Sequence, residues 1–298
     1  MIYLIIVSVI WSLTFNLMNY PQPNLDPNFI VFLRILFPLP IFMFFINTTK
    51  LNKKLILGFV ALGSIQYGVT YITFVKAYLY IDKDIHYAIL FLSMVPIHIA
   101  LIGMVYEGKL SYVNLFTSVA SFLSILLIYN DHLRFNSKIL ESFAFAQIAN
   151  FCFAYGQVTY KRIQEKLPGV KDSDVFALML LGALIVVMIA TTVSGGWNFL
   201  AQVSHKQFGV IFYFGTVVSG VCMFLWNKGA CKVTDGTLAV MNNFKIPLGV
   251  LVSTILFQQK TDLTKAIASL AIILICVFIQ QRYEKNRIIT DQYSSVKT

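Results

Sequence analysis

The chain has 298 residues, of which 58% are apolar and 12% are charged, and its mean hydropathy is +0.75. A soluble globular protein needs roughly a quarter of its residues charged to cover its surface, so this composition excludes a water-soluble domain. The formal net charge of +10 does not indicate a nucleic-acid partner, because most basic residues fall in short breaks between apolar runs, as in membrane proteins.

Ten apolar stretches are each close to the roughly 17 to 25 residues that a helix needs to cross the hydrocarbon layer. In chain order they are residues 2–18, 28–47, 55–80, 84–106, 110–129, 139–161, 174–194, 206–228, 233–257 and 263–281. The sequence lacks the alternating pattern of a membrane barrel, so all ten are predicted to be helices. The first stretch has no basic residue before it and no small-residue cleavage site after it, so we expect it to remain as a span. The predicted fold class is an all-α integral membrane protein with ten transmembrane helices.

Lysine and arginine in the loops predict the orientation of these helices. With the N-terminus inside, the inner loops and tail carry 14 basic residues and the outer loops carry 6. Cytoplasmic loops retain the excess of positive charge, so both termini are predicted to be cytoplasmic and the protein multi-pass in the inner membrane. The polar residues 282–298 are expected to form a disordered cytoplasmic tail.

A weak internal repeat relates residues 74–115 to residues 226–266. The aligned pairs are Lys76 with Lys228 after a one-residue gap, Ala88 with Ala239, Pro96 with Pro247, and Glu107 with Gln258. Five crossings in each half would invert the second copy relative to the first, an arrangement typical of transporters. The predicted halves are residues 1–137 and 138–281.

The order of these motifs resembles the EamA family of the drug/metabolite transporter superfamily over nearly the whole chain. The resembling pieces are WSLTF from Trp11, FLR ending at Arg34, YITFVKAYLYI, AILFLSMVP, YEGKL, QVTYKR, FLWNKGACKV and GTLAVMNNFKIP. The resemblance implies ten helices around a central cavity and the transport of small metabolites without ATP hydrolysis. The sequence has no P-loop pattern, which agrees with secondary transport. Two departures are Gln258, where the family often has Glu, and Lys245, where an uncharged residue is usual.

The clearest candidate for substrate binding is Lys245. Helical spacing along the ninth stretch places Leu238, Asn242, Lys245 and Gly249 on one face, beside Pro247. A lysine in mid-membrane is costly, so it should face the bundle interior or a partner, although its stem could also reach the interface or a carbonyl. The repeat maps this face onto Tyr87, Phe91, Met94 and His98.

Other polar and aromatic side chains extend the candidate site. The predicted substrate-binding residues are Lys245, Asn242, His98, Met94, Phe91, Tyr71, Tyr67, Gln66, Trp11, Phe15, Arg34 and Tyr155, and the predicted kink or gating residues are Pro96 and Pro247. Asn150, Gln157 and Asn243 are further polar candidates. Each has a plainer alternative: Arg34 could fix helix ends, His98 could be a structural hydrogen-bond partner, and the aromatic residues could serve packing alone.

Arg34, Lys76 and Lys245 are cations inside the predicted spans, while Glu107 lies at a helix end, and this surplus of cations favours a ligand with an anionic group. We therefore expect a secondary transporter of a small amphipathic metabolite, such as an amino acid or a nucleoside-like compound related to S-adenosylmethionine. The alternatives are a structural or accessory membrane protein and an intramembrane enzyme without a recognisable motif. The sequence indicates no cofactor, metal or nucleic acid, and the expected partners are the substrate and the lipid bilayer. The oligomeric state, monomer or homodimer, is left open.

Overall fold

The computed structural model describes residues 1–14, 25–81, 84–130, 136–258 and 261–295, without the side chains of Ile85 and residues 288–295. All regular structure in these residues is helical, as predicted for an all-α membrane protein. The α-helices are α1 (Ile2–Thr14), α2 (Pro27–Leu36), α3 (Pro38–Met43), α4 (Lys53–Gly63), α5 (Thr70–Tyr80), α6 (Ile85–Leu92), α7 (Val95–Glu107), α8 (Tyr112–Tyr129), α9 (Ser137–Glu165), α10 (Asp172–Val193), α11 (His205–Tyr213), α12 (Cys222–Ala230), α13 (Asp235–Phe257) and α14 (Leu263–Ser295). Two π-helical segments, Ser64–Val69 and Phe214–Val221, join α4 to α5 and α11 to α12, and a 3-10 helix spans Gly196–Gln202.

Seven helical units are long and apolar enough to cross a membrane. They are Lys53–Tyr80, His86–Glu107, Tyr112–Tyr129, Asp172–Val193, His205–Ala230, Asp235–Phe257 and Leu263–Arg287. Two shorter apolar units, Ile2–Thr14 and Pro27–Met43, coincide with the first two predicted spans, of which residues 15–18 lie outside the described part of the chain. The sixth predicted span corresponds to α9, which has 29 residues but a more polar composition. The presence of ten membrane-spanning helices and their orientation therefore remain predictions.

Polar residues fix the points at which the helices begin. The Asp26 carboxylate accepts a hydrogen bond from the backbone N–H of Phe29 at 2.9 Å, and the Asn52 amide accepts one from Leu55 at 2.9 Å. Asp84, Ser111, Asn136, Ser204 and Thr234 accept backbone N–H bonds in the same way at the starts of α6, α8, α9, α11 and α13. Each cap satisfies a backbone donor that the first helical turn leaves unpaired.

The helices α9 and α13 lie at the centre of the bundle. α13 packs against α1, α7, α8 and α14, and α9 packs against α5, α7 and the π segment Ser64–Val69. The buried polar residues on these two helices include Asn150, Gln157, Lys161, Asp235, Asn242 and Asn243. The bundle interior is therefore polar along its two central helices.

Two glycines allow close contact between α4 and α10. A Cβ atom on Gly63 would lie 2.0 Å from the carbonyl oxygen of Met179, and one on Gly182 would lie 1.9 Å from the carbonyl oxygen of Val60. Neither backbone oxygen can move without moving its helix. Small residues permit this backbone approach, which is a common way for helices to pack in membranes.

Replacing Gly63 with alanine should therefore destabilise the protein by about 1–3 kcal/mol, because the new methyl group forces the two helices apart. Gly58 is the matched control, since it lies on the same helix with nothing within 4 Å of its Cβ position. Gly58→Ala should be neutral or stabilise by up to about 1 kcal/mol. Thermal unfolding of both variants in detergent checks this prediction, and equal midpoints would contradict the close contact.

The two π segments lie at equivalent positions of the proposed repeat. The offset of 152 residues between Lys76 and Lys228 carries residues 64–69 onto 216–221, inside Phe214–Val221. A π segment displaces the helix face by one residue and often marks a functional region. This correspondence supports the division into two related halves.

The two repeat-related prolines have different surroundings. Pro247 lies inside the continuous helix α13, whereas Pro96 is at the second position of α7, just after a turn at Ser93 and Met94 that separates α6 from α7. Proline lacks an N–H and is well suited to the first turn of a helix, so it starts a new helix here. The predicted mid-helix kink at Pro96 is thus a helix break.

The C-terminal residues after Gln281 are helical as far as Ser295, so the expectation that they are disordered is wrong. Residues 282–295 contain neither glycine nor proline, and Arg287 Nη1 contacts Glu107 Oε2 on α7 at 3.1 Å. Continuation of a helix already formed adds one hydrogen bond per residue without a new nucleation step. This tail therefore extends α14.

Candidate functional site

A cavity of about 150 Å³ lies at mid-depth in the bundle. Its walls come from the π segment Ser64–Val69 and from α5, α6, α7, α9, α12 and α13, and the lining residues are Gln66, Tyr67, Thr70, Tyr71, Phe74, Leu92, Val95, Ala149, Asn150, Phe153, Met223, Asn242, Asn243, Lys245 and Ile246. The wall is mostly apolar with a few polar groups, which is typical of a small-molecule site. We call it the central cavity.

Lys245 is the only charged residue among those that line the central cavity. Its Nζ atom lies 4.3 Å from the ring centroid of Trp11 and 5.9 Å from that of Trp226, and these two indoles stack with their centroids 5.0 Å apart. Cation–π contacts of this kind hold an ammonium group with about 0.5–2 kcal/mol. Within the described part of the chain, no carboxylate and no hydrogen-bond acceptor pairs with this Nζ atom. The structure therefore places an uncompensated cation beside the cavity.

Three residues that line the central cavity have a buried amide oxygen without a hydrogen-bond partner among the described residues. These oxygens are Gln66 Oε1, Asn150 Oδ1 and Asn242 Oδ1. A buried polar atom left unpaired costs about 1–3 kcal/mol, so such groups in a native structure call for an explanation. A ligand with N–H donors would satisfy them.

The surrounding contacts fix the orientation of two of these amides. Asn150 Nδ2 donates to the carbonyl oxygen of Phe91 at 2.7 Å, and Asn242 Nδ2 donates to that of Leu238 at 2.9 Å. Carbonyl oxygens only accept, so each Nδ2 must face its carbonyl and each Oδ1 must face away. Asn242 Nδ2 also donates to Gln157 Oε1, whose orientation is set in turn by the indole N–H of Trp226 at 2.8 Å.

Amide side chains also satisfy the break between α6 and α7. Asn150 donates to the carbonyl oxygen of Phe91, and Asn243 Nδ2 donates to that of Ser93 at 2.8 Å. A helix interruption inside a membrane protein is stable only where protein groups replace the lost backbone bonds. The wall of the cavity thus depends on residues of α9 and α13.

The structure brings together only part of the predicted substrate-binding set. Lys245, Asn242, Tyr71, Tyr67 and Gln66 line the central cavity, and Trp11 contacts Lys245. Arg34 lies in an adjoining cavity, and Phe15 lies outside the described residues.

The repeat-related face of the fourth span does not line the central cavity. Phe91 packs on Phe143 at 5.3 Å between ring centroids, and His98 Nδ1 lies 3.1 Å from the carbonyl oxygen of Met94 within its own helix. Tyr155 stacks on Phe151 at 6.2 Å. The break at residues 93–94 changes the face that α7 presents, so helical spacing carried across it does not hold.

The sequence interpretation omitted Thr70, Phe74, Phe153 and Met223 from the site. Thr70 and Phe74 continue the helical spacing of Gln66, so a stripe four residues apart could have identified them.

A network of ion pairs joins the ends of α7, α9, α13 and α14. Asp235 Oδ1 lies 2.7 Å from Lys161 Nζ, and Asp235 Oδ2 pairs with Arg162. Glu107 contacts Arg162 at 3.4 Å and Arg287 at 3.1 Å. These groups line a wider cavity of about 450 Å³. The side chains of Asp235 and Lys161 are only 2% and 7% exposed, so their ion pair is the buried part of this network.

Replacing Asp235 with asparagine should destabilise the protein by about 3–5 kcal/mol, because the buried Lys161 ammonium loses its counter-charge. Glu165→Gln is the matched control: its carboxylate contacts the same Arg162 at 3.4 Å but is 45% exposed, and such pairs contribute about 0–1 kcal/mol. Thermal unfolding of the two variants checks the difference. Similar midpoints would show that the network does not hold the helices together.

Comparison with known proteins gives three kinds of match. The sequence profile of the EamA-like transporter family matches residues 1–130 and 142–280. The chain is similar to the probable biotin transporter of Pseudomonas aeruginosa, with 29% identity over 284 residues that cover 94% of this chain and 96% of that protein. It is similar to the biotin transporter of Salmonella typhimurium, with 29% identity over 285 residues covering 95% and 93%, and to that of Escherichia coli, with 28% identity and the same coverage. A known crystal structure has a TM-score of 0.76 at 12% identity and covers 94% of this chain and 95% of that one, which shows a shared fold.

Proposed function

The chain belongs to the EamA-like transporter family, and we propose that its substrate is biotin. As a member of this family it is a multi-pass inner-membrane transporter of a small molecule rather than an enzyme. The observation that carries the proposal is one cavity with an uncompensated ammonium group, Lys245, and unpaired amide oxygens on Asn150 and Asn242. The names of the relatives point to the same substrate.

The chemical groups of biotin complement those of the central cavity. Biotin carries one carboxylate on a flexible chain and a bicyclic ring with two ureido N–H donors. A carboxylate would pair with Lys245 in a charge-assisted contact, and the ureido donors would bond to the unpaired oxygens of Asn150 and Asn242. The apolar side chains of Phe74, Phe153 and Met223 would contact the ring and the chain.

An amino acid or an S-adenosylmethionine-like compound fits the cavity less well. Each carries an ammonium group in addition to its carboxylate, and S-adenosylmethionine also has a sulfonium. No residue that lines the described central cavity is acidic, while Lys245 would repel both cations. The relatives give no support to these substrates either, although the anionic group remains part of the proposal.

An equilibrium competition experiment tests the proposed substrate. Purified protein in detergent is saturated with radiolabelled biotin, and unlabelled biotin, biotin methyl ester, S-adenosylmethionine and amino acids are added in turn. We expect biotin to displace the label, the neutral ester to do so at least about 30-fold less well, and the amino compounds to have no effect. Absence of biotin binding, with displacement or binding by an amino compound, would reject the proposal.

The same cavity supports a proposal about the transport mode. Without a carboxylate among the described lining residues, a carboxylate proton relay has no basis there, and we propose exchange or modest proton dependence. His98 and Lys245 are the groups at mid-depth that could take part in proton coupling.

A further inference from the structure

A second cavity of about 140 Å³ lies between α2 and α5 and adjoins the central cavity. Tyr71 and Phe74 line both cavities, so these two side chains form the partition between them. The remaining wall of the second cavity includes Ile30, Arg34 and Tyr78. We call this space the antechamber.

Arg34 gives the antechamber a positive charge with unused donors. Its Nε donates to Ser219 Oγ at 3.1 Å, and its guanidinium carbon lies 5.3 Å from the ring centroids of both Tyr71 and Phe214. Within the described part of the chain, no carboxylate pairs with Arg34 and no acceptor bonds to its terminal N–H groups. A guanidinium has five N–H donors, so four of them are free for a ligand.

The antechamber lies toward the end of the bundle opposite to the ion-pair network. The last turns of α5 line the antechamber, the next helix in the chain is α6, and α6 with α7 extends to Glu107 in the network. The central cavity lies between these two ends, since its residues are near the middle of α9 and α13. A substrate that approaches from the end opposite to the network would therefore meet the antechamber before Lys245.

We propose that the antechamber is an anion-binding station, in which Arg34 takes the substrate carboxylate before it passes Tyr71 and Phe74 to reach Lys245. This inference rests on the proposed function and adds a residue and a path to it. The rings of Tyr71 and Phe214, whose centroids each lie 5.3 Å from the guanidinium carbon, contact this group without neutralising it. Tyr71 is joined to the same group, because its hydroxyl lies 3.4 Å from Ser219 Oγ.

The size of the central cavity agrees with a path of two compartments. Sites for drug-sized ligands commonly have volumes of about 300–1,000 Å³, and the central cavity alone has about 150 Å³. Movement of Tyr71 and Phe74 would join it to the antechamber.

Measurements of uptake kinetics and of equilibrium biotin binding by Arg34→Gln test whether the antechamber is an anion-binding station. A charge that the substrate meets in transit, but does not contact when bound, speeds the approach without changing the bound state. We expect the kcat/KM for biotin uptake into membrane vesicles to fall on the order of tenfold, while the Kd for biotin changes less than about threefold. The neutral biotin methyl ester should be transported equally by both proteins, and Arg34→Lys should restore much of the biotin rate.

Lys76→Gln is the matched control, since it removes a charge from α5 at a residue that contacts Phe145 and lines neither cavity. It should leave biotin uptake unchanged. The inference is overturned if Arg34→Gln transports biotin like the wild type, if uptake of the ester falls in parallel, or if the Kd for biotin rises as much as in a Lys245 variant. If the wild type takes up no biotin, the proposed function fails and the station with it, whereas wild-type uptake unaffected by Arg34→Gln rejects the station alone.

Discussion

Replacing Lys245 with methionine is expected to weaken biotin binding at least about 30-fold, because the carboxylate loses a charge-assisted contact inside a cavity with little water. Such contacts are worth about 2–5 kcal/mol when one partner is removed. Methionine keeps most of the length of the side chain and can still pack on Trp11, and the change also removes the penalty for a buried charge. Folding should therefore be unchanged or slightly more stable, as checked by thermal unfolding.

Two comparisons separate a binding role for Lys245 from a structural one. Biotin methyl ester, which lacks the negative charge, should bind the wild type and Lys245→Met with similar affinity. Lys76→Met makes the same substitution outside the cavity and should bind biotin like the wild type. Equal affinity of Lys245→Met and wild type for biotin would remove the main support for an anionic substrate.

The second effect is expected for Asn242→Leu, which should weaken biotin binding by up to about tenfold without a loss of stability. The leucine removes the unpaired Oδ1 acceptor, and a hydrogen bond of this kind contributes about 0.5–1.5 kcal/mol. The former partner Gln157 Oε1 still accepts from Trp226, so no new unpaired group arises there. Titration of each protein with radiolabelled biotin gives the two Kd values.

A biotin derivative methylated on both ureido nitrogens should bind the wild type weakly, because it has no N–H donor for the Asn242 oxygen. For the same reason, its affinity for Asn242→Leu should equal its affinity for the wild type. Asn150→Leu provides a contrast, because it also removes the 2.7 Å hydrogen bond to the carbonyl oxygen of Phe91 and leaves that oxygen with the 3.4 Å bond from the backbone N–H of Met94. That variant should lose both affinity and thermal stability. If Asn242→Leu weakened binding of the methylated derivative as strongly as that of biotin, the ureido assignment would be wrong.

Hydropathy predicted most of the helical units because the lipid requirement is strict: a segment either satisfies its own backbone or is not stable there. Features that depend on contacts with neighbouring helices could not be predicted from hydropathy. The break at Ser93 and Met94 requires amide groups from Asn150 and Asn243, which lie far away in the sequence. Likewise, the ordered end of α14 depends on contacts such as that of Arg287 with Glu107.

The candidate site was predictable where a single residue departed strongly from its surroundings. Lys245 and Asn242 stand out as polar groups in an apolar helix, and both line the central cavity. Met94 and His98 were assigned by carrying one helical spacing through the repeat, which fails across the break before α7. The unpaired amide oxygens of Asn150 and Asn242 depend on which carbonyl oxygen each amide faces, and a sequence does not contain that information.

Uptake of radiolabelled biotin by proteoliposomes that contain the purified wild type or Lys245→Met tests the central claim most directly. Saturable uptake by the wild type, inhibited by unlabelled biotin but not by amino acids or S-adenosylmethionine, is expected. At a biotin concentration below the wild-type KM, the Lys245→Met rate should fall at least about 30-fold, while both proteins transport the methyl ester equally. No biotin uptake by the wild type, or equal biotin uptake by the two proteins, would contradict the account.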